Sequence, residues 1–128
     1  MAEFTDYLEN KIIDHMLRNQ AYTPAGTVYV ALFTSATTDA GGGTEVSGGA
    51  YARQDVGLSA ASAGASSNAG TITFPTATAG WGTVTHIALM DALTLGSMLM
   101  HSTLDASKVV NNGDTFKINA GDLDITVD

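Results

Sequence analysis

GWGTVTHIALMD, residues 80–91, is the longest strand-like run in the chain. Val84, Ile87 and Leu89 sit among Thr83, Thr85 and His86, and β-branched residues favour a pleated, half-buried surface. A short turn follows, and residues 95–102 return as a second strand, so the two runs predict a hairpin. Upstream, TVYVALF at 27–33 is apolar throughout and too short for a helix; it predicts a strand buried on both faces. Downstream, strands are predicted at 108–110, 115–118 and 123–127, with turns at Asn112-Gly113 and Ala120-Gly121. In the last strand Leu123, Ile125 and Val127 alternate with Asp122, Asp124, Thr126 and Asp128, giving one core face and one wet face.

The remaining middle of the chain is simpler. Residues 37–50, rich in Gly, Thr and Ser, predict a long exposed loop. Residues 51–58, YARQDVGL, predict a strand. Residues 59–70 are almost wholly Ala, Ser, Gly and Asn and predict a mobile connection with little to bury. Residues 71–74 form a short strand stopped by Pro75.

The one helical period lies at the N-terminus. Leu8, Ile12 and Met16 recur every fourth residue, with Ile13 and Leu17 beside them, so residues 5–19 predict an amphipathic helix. Thr5 or Asp6 supplies the cap, and Asp6 with Glu9 resembles a capping box. The fold class is therefore mainly β: a jelly-roll-like antiparallel sandwich of about eight strands with one N-terminal amphipathic helix. With 128 residues, a single domain is expected, 1–22 being helix and turn and 23–128 the sandwich.

Composition narrows the function. The net charge is −8, and the five cations, Lys11, Arg18, Arg53, Lys108 and Lys117, are scattered. Phosphate binding needs clustered Lys and Arg, so neither nucleic acid nor an anionic membrane is expected as a partner. There are no cysteines, which removes disulfides and thiolate chemistry. The acidic start does not resemble a secretory signal, and no apolar run reaches the roughly 20 residues of a membrane helix. Synthesis in a host cytoplasm is the expectation.

No catalytic constellation stands out. His15, His86 and His101 form no HxH or HExxH pair; His86 and His101 can face each other across a hairpin, but without a placed third ligand they assign no metal. Asp122, Asp124 and Asp128 read as a solvated face rather than a calcium site. The glycine runs at 41–43 and 48–49 match neither a dinucleotide fingerprint nor a P-loop. The reading is a non-enzymatic protein with no cofactor. Met90, Met98 and Met100 are core fillers, and Arg53 is expected to pair with a carboxylate. Trp81, between two glycines, reads as a sandwich plug or as a partner anchor. The helix stripe packs either on one end of the sandwich or on another subunit. The candidate assembly contacts are thus Leu8, Ile12, Met16 and Trp81.

Several segments together carry a resemblance: TVYVALFTS, the GG-x-Y-x-R segment (Gly48, Gly49, Tyr51, Arg53), Phe74-Pro75, Trp81-Gly82 and the Gly121-Asp122-Leu123 ending. They resemble a family of small bacteriophage structural proteins whose members often carry the label of phage tail fibre protein. The sequence is also similar to the jelly-roll cement, or decoration, proteins of capsids. The resemblance implies a virion component, first a cement protein on the capsid exterior that binds the major capsid protein and itself as a homodimer or homotrimer. A tail or tail-fibre component is the alternative, and a carbohydrate-binding sandwich a third reading. The family supplies no catalytic residue.

Overall fold

The computed structural model describes residues 3–127. The chain runs β1 (Glu3–Phe4), α1 (Asp6–Leu17), β2 (Tyr29–Phe33), β3 (Gln54–Asp55), β4 (Ala65–Ser67), β5 (Ile72–Thr73), β6 (Gly82–Met90), β7 (Met98–Val110), β8 (Lys117–Ile118) and β9 (Asp124–Thr126). Five strands form one antiparallel sheet in the order β1-β7-β6-β2-β3, and two ladders, β4-β9 and β5-β8, complete a sandwich-like, mainly β architecture. Among the described residues the strands number nine, divided five, two and two, close to the expected eight.

The predicted hairpin is the centre of the sheet. β6 pairs with β7 from Gly82↔Val110 to Met90↔Met98. The expected separate strand at 108–110 is the far end of β7, because the ladder continues through an irregularity between Val84 and His86 in which β7 carries extra residues. On the other side, β2 pairs with β6 through five consecutive positions, Tyr29↔Met90 to Phe33↔His86. β2 is buried on both faces, as its unbroken apolar run requires. Val30 and Leu32 enter the main core, while Ala31 and Phe33 join Ala88, Met90 and Met98 in a smaller cluster on the opposite face.

The main core lies between the large sheet and the ladders. Val30, Leu32, Val84, Ile87 and Leu89 meet Ile72, Phe74, Phe116, Leu123 and Ile125. Tyr51 stacks on Phe74 and meets the Trp81 ring edge-on, and Phe74 in turn meets Phe116 edge-on.

Two segments depart from expectation. Glu3–Phe4, placed with the helix on sequence grounds, is the edge strand paired with His101 and Met100. Two residues carry no period, which is why this strand is invisible in the sequence. Residues 59–70 contain β4, paired to β9, instead of a mobile connection. Asn68 anchors this segment although it is polar: it is 1% exposed, its amide donates to the carbonyls of Gly70 and Asn119, and its Oδ1 accepts from Leu123 N–H. A buried amide is tolerated because all of these bonds are made.

Candidate assembly surface

α1 is tied to the sheet at one end only. Thr5 is its N-cap, with Oγ1 accepting from Leu8 N–H at 3.4 Å. That hydroxyl also donates to the Met98 carbonyl at 2.6 Å, and Thr5 N–H donates to Leu99 at 2.9 Å. Asp6 N–H donates to the Asp39 carbonyl, so the loop after β2 closes over the helix start. Leu8 packs on the main core. Beyond it the helix draws away from the body, and no helix residue is fully buried.

Exposure therefore climbs along the stripe. Ile12 is 37% exposed, Ile13 49%, Met16 69% and Leu17 79%. The polar end is finished locally. Arg18 pairs with Asp14 at 2.8 Å, Arg18 N–H returns to the Asp14 carbonyl, and Asn19 takes the left-handed conformation that ends the helix. Of the candidate contacts, Leu8 is partly spent on the core, while Ile12 and Met16 are available.

Trp81 is not available. It is buried in the core, its indole N–H donates to the Gly49 carbonyl at 2.8 Å, and its own backbone N–H donates to Val110. The plug reading of Trp81 holds and the anchor reading is corrected. Gly49 is glycine for a stated reason: its φ is +55°, and a Cβ there would lie 2.8 Å from the Ala79 carbonyl and 2.9 Å from the indole nitrogen.

Arg53 meets the expectation of a carboxylate partner and does more. Nε and Nη2 grip Glu45 in a two-point pair, each bond 2.8 Å. Nη1 donates to the carbonyls of Ala92 and Leu95, at 2.7 and 2.8 Å. Tyr51 donates to the same Glu45 at 2.6 Å and accepts from Leu32 N–H. Burial alone raises the Glu45 carboxyl, but the hydrogen bonds from Arg53 and Tyr51 and the guanidinium charge outweigh it and hold the group below its usual range. Burial, then the bond to Glu45, pushes the Tyr51 phenol far up.

This network fixes the β6–β7 connection from beneath. Leu95 adopts φ +55°, a conformation a branched side chain rarely takes, and points outward at 85% exposure; Leu93 is also exposed. Leu93 falls in the short turn expected between 91 and 95, whereas Leu95, expected to open the second strand, lies ahead of β7, which begins at Met98. The signal for Leu93 was a leucine within a predicted turn, where polar residues are the norm. The hairpin tip and the helix start are neighbours: Asp6 and Tyr7 on one side, Gly96 and Ser97 on the other, and residues 39–41 on a third line one surface pocket of about 330 Å³.

The other sequence candidates remain apart. His15 is on the exposed side of α1, where Nδ1 lies 2.9 Å from the Gln20 carbonyl. Asp122 sits in a turn and Asp124 on the exposed face of β9; Asp128 lies outside the described residues. No helix among the described residues is long and apolar enough to cross a membrane.

Among curated proteins none matches the chain. A family model described as Podophage GP4 fiber I protein gp80 matches residues 3–126, which span every strand and the helix. Four of the motif residues quoted above build the interior here: Gly49 and Trp81 in one contact, Tyr51 and Arg53 on Glu45 in another. The chain belongs to this fibre-protein family and is a bacteriophage structural protein.

Proposed function

We propose that the protein is a fibre-type building block of the virion that docks through α1 and the adjoining hairpin tip. The observation that carries this is the exposed stripe Ile12, Ile13, Met16 and Leu17 on a helix held only at its N-terminal end. Exposed apolar residues that are contiguous on an element mark interaction sites. A 12-residue helix is marginal in water by itself, so a partner also stabilises the element.

Magnitudes say what kind of docking this is. Completing the burial of four such side chains is worth at most roughly 6–12 kcal/mol, at roughly 1.5–3 kcal/mol each. Association itself costs about 4–15 kcal/mol. One helix therefore binds weakly. Firm attachment requires several copies acting together, or the added contact of Leu93 and Leu95. Both fit a component repeated on a symmetric particle. The role is structural rather than catalytic, and its partners are a neighbouring virion protein and further copies of itself.

The family description favours a tail fibre. A second reading, a decoration protein on the capsid exterior bound to the major capsid protein, draws support from the net charge of −8 on a compact body, which suits a basic patch on a shell. Copy number separates the two. Densitometry of purified particles against the major capsid protein, with immunogold labelling, gives few copies at the tail for the fibre reading. Hundreds of copies over the head replace it with the decoration reading, and absence from purified particles removes both.

A further inference from the structure

The outer face of the five-stranded sheet holds a set of groups unconnected with docking. Glu3 on β1 pairs with His101 on β7, and His101 with Ala88 on β6, so their side chains share one row. The loop after β2 folds over that row and brings Thr37 and Asp39 onto the imidazole. Thr37 Oγ1 lies 2.9 Å from Nδ1, Asp39 Oδ1 lies 2.9 Å from Nε2, and Glu3 Oε2 lies 3.9 Å from the same Nε2. The donor atoms of Glu3, Asp39 and His101 all lie within 4.8 Å of one another. His101 is buried, while both carboxylates reach solvent.

Two carboxylates facing one ring nitrogen are poorly served by the protein alone. A neutral imidazole has a single N–H and satisfies one of them. Among the described residues, neither Glu3 nor Asp39 has an ion pair with any Lys or Arg. Like charges held this close favour an added cation.

We propose that Glu3, Asp39 and His101 form a binding site for a zinc-class divalent cation. A tetrahedral ion with metal–ligand distances of about 2.0–2.2 Å separates its ligand atoms by about 3.3–3.5 Å. The observed 2.9 and 3.9 Å from Nε2 bracket that spacing, and the three ligand atoms lie within 4.8 Å of one another, so the two solvent-facing carboxylates close on the ion by small side-chain movements. Thr37 is placed as an outer support: with an ion on Nε2, the ring proton sits on Nδ1, 2.9 Å from Thr37 Oγ1, which would accept it. The donor set of one imidazole and two carboxylates selects against calcium and magnesium, which take oxygen ligands. His86, two positions along β6 from Ala88, lines the same pocket as Glu3, Thr37 and His101, so a fourth ligand is either this ring or water. Because Asp39 also receives the Asp6 N–H, the ion ties β1, the loop and the helix start together.

The test uses the full chain stripped with EDTA, titrated with zinc by calorimetry and followed by thermal melting. One zinc binds per chain, the melting temperature rises by several degrees at saturating zinc, and the His101 Nε2 resonance moves. Glu3→Gln and Asp39→Asn keep shape and lose charge, so each weakens binding at least about tenfold and removes most of the rise while leaving the metal-free melt near wild type. No stoichiometric binding at about 100 µM zinc overturns the proposal. So does binding that survives both substitutions, or a preference for calcium over zinc.

Discussion

The segment 45–53 and the helix Asp6–Leu17 place their side chains in opposite ways. In the first, a guanidinium, a carboxylate and a phenol are drawn inward and bonded to one another. In the second, isoleucines, methionine and leucine are left in water. The inward polar set has every bond it needs, since among the described residues no buried side-chain nitrogen or oxygen lacks a partner. The outward apolar set is incompletely buried, from Ile12 at 37% exposure to Leu17 at 79%. The first region is therefore finished within one chain, and the second is the surface that the proposed docking would complete.

That contrast is sharpest at Arg53. Arg53→Ala leaves Glu45 with only the Tyr51 donor and two carbonyls without their guanidinium donor, and destabilises the fold by about 3–5 kcal/mol in urea unfolding. A loss near zero would mean that the network is decoration rather than frame. Asn68→Ala is next. It strands the Leu123 N–H and the carbonyls of Gly70 and Asn119, with an expected loss of about 2–3 kcal/mol by the same measurement.

Glu45 adds a pH dependence. Its folded carboxyl is held below the unfolded value of about 4.3, so its contribution is complete above that pH and is lost as pH falls through the lowered folded value. Stability measured from pH 6 to pH 3 should fall at the acidic end, and Glu45→Gln should flatten this part of the curve. The smallest effect on stability belongs to the helix. Met16→Lys with Leu17→Lys should change unfolding by no more than about 0.5 kcal/mol, because both side chains already face water.

The sequence was informative where one pattern dominated. The helix was legible because five apolar residues kept its period, and β2 because every side chain from 27 to 33 suited a doubly buried strand. The pairing of Arg53 with a carboxylate followed from a lone cation in a strand. What escaped detection depends on neighbours distant in the chain. Asn68 reads as a loop residue until Asn119 and Leu123 are beside it. Trp81 reads as a plug or an anchor until Gly49 is found against its ring, which leaves the plug. The Glu3, Asp39 and His101 cluster joins three segments that no local spacing connects. Leu93 was hidden by its place in a turn, and Leu95 by its place at the head of an expected strand that begins only at Met98.

The claim that α1 is the docking surface can be met directly by particle incorporation. Phage lacking the wild-type gene product would be complemented with the Met16→Lys, Leu17→Lys protein, and its copy number in purified virions compared with wild type by quantitative blotting. The predicted result is a folded, soluble variant whose copy number in the particle falls by roughly tenfold or more, since losing even 1.4 kcal/mol per contact is a factor of ten. Incorporation at the wild-type copy number would contradict it.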